Sequence, residues 1–254
     1  MYSDRVDATG IIDKRSEHGP FDIVGDLHGC YQELRELLTL LGYCIDEDAG
    51  REVGRFRATP PPRRRLLFLG DLVDRGPRIT DVVRLVMDLV EQGTAWCIGG
   101  NHEFQMLRHF DAGTPIAWGL AETLEQLRRE PPELTARLLE FARDLPAYHL
   151  LDGGRLVVAH AGLPEHLHGA ASREAQWFAL YGTTTGTRRT NWAADYHGPA
   201  RVVYGHTPAT AAEWINDTIC IDTGCVYGGS LTALRYPELE IVSVPAVRVH
   251  YRGA

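Results

Sequence analysis

The stretch LLFLGDLVDRGP, residues 66–77, decides the fold and the place where functional residues are expected. Its apolar start predicts a buried strand, and the glycine, aspartate and proline that follow predict a turn. In an open α/β sheet, ligands bind outside the carboxyl ends of the strands, so Asp71 and Asp74 should project into such a crevice with Arg75 beside them. Two carboxylates forced together repel one another unless a cation or a proton separates them. The stretch therefore indicates a metal site.

Length and composition are those of one large globular domain. The chain has 254 residues, of which 44% are hydrophobic. No apolar run reaches the roughly 20 residues that span a bilayer, so no membrane partner is expected. Residues 1–20 are polar, lack the apolar core of a signal peptide and are expected to be a tail, which makes a cytoplasmic protein the default. The net charge of −8 excludes a global basic footprint for extended nucleic-acid binding.

The cysteines and the single lysine exclude several kinds of chemistry. Five cysteines form no CxxC pair, so neither a disulfide framework nor a zinc knuckle is expected. Cys44 and Cys97 are interpreted as buried, reduced thiols. Lys14 is the only lysine, which excludes a P-loop lysine or a nucleotidyl-lysine intermediate elsewhere in the chain.

Strands and helices alternate in the first part of the chain. Residues 21–24 are predicted to form the first strand, followed by a helix over 31–41 with leucines on one face. A second helix is predicted over 79–92 and a third strand over 95–98, whereas residues 42–65 are expected to form a loop. This alternation implies right-handed crossovers and a largely parallel half-sheet.

The second part of the chain is predicted to be helical at first and rich in strands afterwards. Residues 104–150, with helices predicted over 120–129 and 132–143, are interpreted either as a helical cap over the site or as a plain packing layer. Short strands are then predicted at 156–159, 202–205, 219–221, 231–236 and 239–244. The predicted fold class is therefore α/β, a two-layer mixed β-sandwich flanked by helices, with residues 21–254 as one domain that carries the cap insertion.

Metal-ligand residue types follow five of the predicted strands. They comprise two carboxylates, one amide and three imidazoles, namely Asp26, His28, Asp71, Asn101, His160 and His206. A histidine alone is more often a core or surface residue, but five strand ends of this kind make coincidence improbable. The set suits two ions, and its mixed oxygen and nitrogen donors favour Mn²⁺, Fe, Zn²⁺, Co²⁺ or Ni²⁺ over Mg²⁺ or Ca²⁺. Two ions roughly 3.5–4 Å apart would lower the pKa of a bridging water for in-line attack on phosphorus.

Four further polar residues are candidates for catalytic roles. His102 is a candidate general acid for the leaving oxygen, and Asp74 is expected to orient its imidazole. Arg75 is expected to bind a phosphate oxygen through its planar guanidinium. Asp222 follows its own predicted strand and is expected to brace the metal-ligating histidines. The predicted reaction is the hydrolysis of a phosphate ester.

Five motifs resemble, in the same order, those of calcineurin-like metallophosphoesterases of the phosphoprotein phosphatase superfamily. They are GDLHG at 25–29, GDLVDRG at 70–76, GNHE at 100–103, HAG at 160–162 and GHT at 205–207. The resemblance implies the calcineurin-like phosphoesterase fold with a dinuclear metal centre. It also implies metal ligands at the six positions named above, and essential roles for Arg75, His102 and Asp222.

Finer features, from about residue 17 to residue 246, resemble the phosphatase module of bacterial polynucleotide kinase–phosphatase. They lie at 17–23, 119–123, 179–182, 184–186 and 221–236. This resemblance implies removal of 2′- or 3′-terminal phosphates, or opening of 2′,3′-cyclic phosphates, on RNA ends with Mn²⁺ or Ni²⁺. It makes two Mn²⁺ ions the first choice of cofactor. PrpE-type dinucleoside tetraphosphatases share much of the same pattern.

Three enzymatic hypotheses share this predicted site. A phosphatase of the 2′ and 3′ ends of RNA is the leading one. A bis(5′-nucleosyl)-tetraphosphatase acting on free nucleotides is the first rival, and a protein Ser/Thr/Tyr phosphatase is the second. The residues next to the metals do not distinguish these three hypotheses, whereas the shape of segment 104–150 should distinguish them. A non-catalytic regulatory subunit is a remote alternative. Intact Asp74, Arg75 and His102 argue against it, because a subunit without activity has no need of them.

Overall fold

The computed structural model describes residues 12–252 apart from 49, 52, 117–118 and 183–191. The first part of the chain contains β1 (Ile12–Lys14), β2 (Phe21–Val24), α1 (Tyr31–Leu40), β3 (Cys44–Glu47), β4 (Phe56–Thr59), β5 (Arg65–Phe68), α2 (Ile79–Glu91), β6 (Ala95–Cys97) and α3 (Asn101–Ala112). The second part contains α4 (Leu120–Leu127), α5 (Pro132–Asp144), β7 (Tyr148–Leu151), β8 (Leu156–Ala159), α6 (Arg173–Tyr181), β9 (Arg201–Tyr204), β10 (Trp214–Ile215), β11 (Thr218–Cys220), β12 (Asp222–Thr223), β13 (Ser230–Tyr236) and β14 (Glu240–Pro245). Helices α1 and α2 and strands β5, β6 and β8 match the predicted elements closely.

Two mixed sheets form the centre of the molecule. One has the strand order β12-β13-β2-β5-β6, with β14 also paired to β13, and the other has the order β1-β7-β8-β9-β11-β10. Strands β2, β5 and β6 are parallel, as are β8, β9 and β11, whereas β13 pairs with β2 in the antiparallel direction. The predicted two-layer mixed sandwich is therefore confirmed.

The core follows from the alternation of side chains along each strand. Phe21 and Ile23 of β2 pack with Val158 of β8 and Val203 of β9 in the cluster between the sheets. Val24, on the opposite face of β2, belongs to a second cluster that α1 and α2 cover. A third cluster lies between the other sheet and α6. Helices thus cover the outer faces, and the strands are buried on both sides.

Segment 104–150 is mainly helical, as predicted, and it ends in β7. Helix α5 packs against α2 and α3, and α4 packs against α2 and α5. The start of α4 also reaches the loop after β5, because the carbonyl of Gly119 accepts a hydrogen bond from the backbone N–H of Arg75 at 3.3 Å. The segment is therefore a packing layer that also contacts the predicted site, and its role as a cap stays a prediction. None of the helices in the described ranges is long and apolar enough to cross a bilayer.

Three local expectations are wrong. Within the supposed tail, Ile12–Lys14 forms β1, which pairs with β7 in a parallel register. The prediction failed because the polar sequence of this stretch gives no sign of a strand partner so far along the chain. The supposed loop over 42–65 contains the antiparallel hairpin of β3 and β4. Cys44 is exposed because it lies on this hairpin, whereas Cys97 is buried as predicted. Residues 1–11 of the tail and the TTG feature at 184–186 lie outside the described residues.

Candidate active site and metal centre

The six side chains predicted as metal ligands converge at one edge of the sandwich. They follow the carboxyl ends of β2, β5, β6, β8 and β9, and they are Asp26, His28, Asp71, Asn101, His160 and His206. All are almost fully buried except His206, which is half-buried. Parallel strands end at the same edge of a sheet, which brings residues distant in sequence together. Their role as metal ligands stays a prediction.

The donor atoms form two groups that share Asp71. One group combines Asp71 with His28 and His102, the other combines it with His160 and His206, and within each group the donor atoms lie within 4.8 Å of one another. Asn101 Oδ1 completes the second group, at 2.9 Å from His160 Nε2 and 2.8 Å from His206 Nδ1. A carboxylate with two oxygens between two sets of imidazoles is suited to bridging two cations.

Backbone carbonyls fix the orientation of two of the histidines. His28 Nδ1 donates to the carbonyl of Val73 at 2.8 Å, and His160 Nδ1 donates to that of Leu69 at 2.9 Å. Each ring therefore turns the lone pair of its Nε2 towards the cluster. Metal-ligating histidines are usually held in this way, with the second ring nitrogen donating to a carbonyl or a carboxylate.

The two buried aspartates have opposite electrostatic surroundings. Asp26 Oδ2 accepts the N–H of His206 at 3.0 Å, but its Oδ1 is buried without a hydrogen-bond partner, which costs about 1–3 kcal/mol. Burial, together with the charges of Asp222 and Asp71, raises the pKa of Asp26 well above its usual range. Burial also opposes ionisation of Asp71, yet the neighbouring histidines, His160 first, hold its pKa well below that range. A divalent cation at the free oxygen would relieve this repulsion, so the residues fit a two-metal centre.

The backbone around the site is tight and locally strained. A Cβ atom on Gly100 would overlap the Asp71 carboxylate, and one on Gly205 would overlap that of Asp26. Five residues with side chains at the site have positive φ angles between 40° and 71°, namely His28, Asp71, Asp74, Arg75 and His206. Such conformations persist only where the surroundings enforce them, and they cluster at functional sites.

His102 is held by a chain of hydrogen bonds. Its Nδ1 donates to Asp74 Oδ2 at 2.6 Å, and Asp74 Oδ1 accepts the hydroxyl of Thr123, from α4, at 2.5 Å. The same hydroxyl accepts the backbone N–H of Asp74 at 2.9 Å. The imidazole is therefore oriented as expected for a general acid, with Nε2 facing the cluster. Sequence reasoning missed Thr123, although it lies in the 119–123 feature.

Arg75 brings a positive charge to the centre. Its Nη1 lies 2.5 Å from His28 Nε2 and its Nη2 lies 2.8 Å from His102 Nε2. On its other side, the guanidinium carbon is 5.5 Å from the centroid of the Tyr227 ring, and Tyr227 is 37% exposed. The guanidinium thus stands between the donor cluster and an exposed aromatic surface, where it can meet an incoming phosphate.

Asp222 lies beside the cluster at the start of β12, and Ile221 alone separates it from the end of β11, so it follows a strand as predicted. Its Oδ1 accepts the N–H of Gly224 at 3.0 Å, and its charge contributes to the raised pKa of Asp26. Asp222 therefore shapes the electrostatics of the centre. The expected bracing of the ligand histidines stays a prediction.

Glu103 is a second residue whose role sequence reasoning missed. Its Oε2 accepts the N–H groups of Asp71 and Gly100, both at 2.9 Å, and its Oε1 accepts those of Leu72 and Val73 at 2.8 and 3.3 Å. Burial and the charge of Asp71 raise its pKa to about 7. The signal was present, since glutamate three residues after a helix N-cap typically bonds back to the N-cap backbone. The side chain ties the loop of Asp71 to the start of α3.

Comparisons with known proteins agree with this geometry. The sequence model of the calcineurin-like phosphoesterase family matches residues 19–244. A relative from Geobacillus sp. (strain WCH70), named bis(5′-nucleosyl)-tetraphosphatase PrpE [asymmetrical], is 43% identical over 237 residues, which cover 89% of this chain and 94% of the relative. A relative of the same name from Anoxybacillus flavithermus is 39% identical over 238 residues, with the same shares of both chains.

Solved structures share the fold. A crystal structure described as a candidate diadenosine tetraphosphatase has a TM-score of 0.65 and 26% identity, covering 94% of this chain and 98% of that one. A protein serine/threonine phosphatase from Saccharomyces cerevisiae has a TM-score of 0.62 at 14% identity, covering 95% of this chain and 85% of that one, and this likeness concerns the fold alone. The family match spans most of the sequence, and the relatives align over nearly their whole length. The chain belongs to the calcineurin-like phosphoesterase family, whose members are metal-dependent phosphoric ester hydrolases with a dinuclear centre.

Proposed function

We propose that the chain hydrolyses bis(5′-nucleosyl) tetraphosphates asymmetrically, adding water across one P–O–P bond to give a nucleoside triphosphate and a nucleoside monophosphate. The observation that carries this proposal is the position of Arg75, between the donor cluster and the exposed ring of Tyr227. A phosphate held by the guanidinium places an attached nucleoside within reach of the aromatic ring. Relatives that bear this activity in their names align over 94% of their length.

The six predicted ligands, Asp26, His28, Asp71, Asn101, His160 and His206, would hold two divalent cations with Asp71 shared between them. When bound, these cations supply an activated water and neutralise charge on the phosphate. Mn²⁺ remains our first choice, because the mixed carboxylate, amide and imidazole donors suit Mn²⁺ and other transition metals better than Mg²⁺. The almost complete burial of the donors keeps bulk water from competing for the cations.

The other side chains act on the substrate. Arg75 binds a non-bridging phosphate oxygen through its planar fork, which is suited to bidentate contact. His102, oriented through its 2.6 Å hydrogen bond to Asp74, delivers a proton to the leaving oxygen. A leaving nucleotide phosphate is a weak base, so this proton transfer matters less for an anhydride than for an alkyl ester. Asp74 accepts the hydrogen on Nδ1, so the proton that the doubly protonated ring delivers is the one on Nε2.

Sequence motifs alone favoured RNA 3′ ends as the substrate, and the relatives favour the tetraphosphate. Arg75 and Tyr227 suit any phosphate that carries a nucleobase, so they favour both nucleotide substrates over a phosphoprotein. The net charge of −8 gives no electrostatic advantage to a long polyanion such as RNA. A short nucleotide substrate is therefore the better match to this chain.

The test is a comparison of three substrates with the purified chain and Mn²⁺: diadenosine tetraphosphate, an RNA oligonucleotide with a 3′-phosphate, and a phosphoserine peptide. We expect the highest kcat/KM for the tetraphosphate, with ATP and AMP as the products in equal amounts. The Asp71→Asn variant, purified in parallel, controls for contaminating phosphatases. A preference for the RNA end, or formation of two ADP molecules, would overturn the proposal.

A further inference from the structure

A second cluster of metal-ligand side chains lies outside the phosphoesterase centre. Cys30 immediately precedes α1, Glu33 lies in the first turn of that helix, and His250 belongs to the segment after β14. Donor atoms of the three residues lie within 4.8 Å of one another. Cys30 and Glu33 are fully or almost fully buried, and the side chain of His250 is 3% exposed. The residues come from distant parts of the sequence and meet inside the protein.

Cys225 adds a second thiol to this cluster. It opens the 3-10 turn Cys225–Tyr227, and it belongs to the same buried cluster of side chains as Cys30. Cys225 is 3% exposed, so this pair of thiols is shielded from solvent. Two thiols, a carboxylate and an imidazole therefore share one buried space. Together with the three donors that lie within 4.8 Å of one another, the Cys225 thiol would make up the four donors that a tetrahedral ion takes.

Polar atoms in the cluster lack partners. Glu33 Oε1 accepts His250 Nε2 at 2.7 Å and the N–H of Val247 at 3.1 Å. Glu33 Oε2 and His250 Nδ1, however, are buried without a hydrogen-bond partner. A Glu33–His250 ion pair that serves to attach the C-terminal segment to α1 would explain both contacts of Glu33 Oε1. It would not explain two unpartnered polar atoms beside two thiols, since each such atom is unfavourable in a buried site.

We propose that Cys30, Cys225, Glu33 and His250 form a structural site for one zinc-class ion, separate from the phosphoesterase centre. Thiolate and imidazole donors select Zn²⁺ over Mn²⁺ or Mg²⁺, and four protein donors leave no open position for catalysis. On binding, each thiol releases one proton to solvent, and the metal–sulfur bonds form without any change of oxidation state.

The ion would connect three segments that flank the phosphoesterase centre. Cys30 lies two residues after His28, and Cys225 lies three residues after Asp222. His250 lies in a segment that is also held by the N–H groups of His250 and Tyr251, which donate to the carbonyl of Val226 at 3.0 and 2.9 Å. The site would therefore fix the C-terminal segment and the start of α1 together, without touching substrate.

Cobalt spectroscopy tests this proposal. The full chain is stripped with a chelator and titrated with Co²⁺ in a phosphine reductant that contains no thiol. The six predicted ligands of the phosphoesterase centre contain no sulfur, so a thiolate-to-cobalt charge-transfer band in the near ultraviolet reports the new site alone. We expect this band to appear, to saturate at one Co²⁺ per chain and to disappear when Zn²⁺ is added, because zinc binds such sites more tightly.

Matched variants make the result decisive. Cys30→Ser should abolish the charge-transfer band and Cys225→Ser should weaken it, whereas Cys97→Ser, which removes a buried thiol elsewhere, should leave it unchanged. The visible d–d bands of Co²⁺ in the phosphoesterase centre must persist in each variant, which verifies that the protein is folded. The proposal is overturned if wild-type protein shows the d–d bands without the charge-transfer band, or if that band survives in Cys30→Ser.

Discussion

Replacement of Thr123 by valine removes one hydroxyl from the support of His102 and leaves the shape of the side chain almost unchanged. Thr123 is fully buried, and its hydroxyl makes two hydrogen bonds, donating to Asp74 Oδ1 at 2.5 Å and accepting the N–H of Asp74 at 2.9 Å. Thr123→Val leaves one carboxylate oxygen and one N–H group buried and unpaired. Each orphaned group costs about 1–3 kcal/mol, so the free energy of unfolding should fall by about 2–6 kcal/mol.

The same change should reduce catalysis, because Asp74 holds Nδ1 of the His102 imidazole and Thr123 holds Asp74. We expect a lower kcat on an alkyl phosphate, whose leaving group needs a proton, and a smaller loss on p-nitrophenyl phosphate. Urea unfolding measures the stability, and steady-state kinetics with both substrates measures the activity. Thr123→Ser retains the hydroxyl and serves as the control.

A stability loss below about 1 kcal/mol in Thr123→Val would refute the hydrogen-bond argument, since that is less than the cost of one orphaned group. Equal activity losses with the two substrates would refute the link between Thr123 and proton transfer. A similar stability loss in Thr123→Ser would assign the effect to packing of the methyl group instead.

Three further predictions concern other parts of the structure. His102→Ala should slow hydrolysis of an alkyl phosphate far more than that of p-nitrophenyl phosphate, and equal losses would exclude His102 as the general acid. Tyr227→Ala should raise KM for diadenosine tetraphosphate and leave KM for p-nitrophenyl phosphate unchanged, whereas parallel changes would exclude contact with the nucleobase. Burial disfavours the charge of Asp152, but hydrogen bonds from Arg155, Tyr236 and His18 lower its pKa to about 2. This carboxylate therefore stabilises the fold above pH about 4, and that contribution is lost as pH falls towards 2, so acid unfolding of Asp152→Asn should show a weaker pH dependence in this window.

The sequence predicted the convergence of the site because local patterns decide it. Apolar runs followed by glycine and a polar residue locate strand ends, and parallel pairing then brings His28, Asp71 and His160 together. Helices α1 and α2 were predicted to within one residue, since their leucines and valines recur at helical spacing.

Features that depend on distant partners were not predicted. Strand β1 is three residues long and is defined by its pairing with β7. Strands β3 and β4 have four residues each, which is too short for the alternation of their side chains to predict a hairpin. The supporting contacts of Thr123 and Glu103 require the fold, because each joins segments far apart in the chain. The cluster of Cys30, Cys225 and His250 has no local motif for the same reason.

The sequence motifs did not identify the substrate, because RNA-end phosphatases and tetraphosphatases use the same residues around the metals. What distinguishes them is the surface that receives the nucleoside. In the proposed function that surface includes Tyr227, whose position beside Arg75 follows from the folding of the 3-10 turn Cys225–Tyr227 rather than from a sequence pattern.

The most direct test of the dinuclear centre is a count of the Mn²⁺ ions bound per chain, measured by equilibrium dialysis of the wild-type protein and of Asp71→Asn. Manganese is chosen because a thiolate site disfavours it. We predict two ions in the wild-type protein, at most one in Asp71→Asn, and loss of tetraphosphate hydrolysis in that variant. A single ion in the wild-type protein, or two ions and half the activity in Asp71→Asn, would contradict a dinuclear centre that shares Asp71.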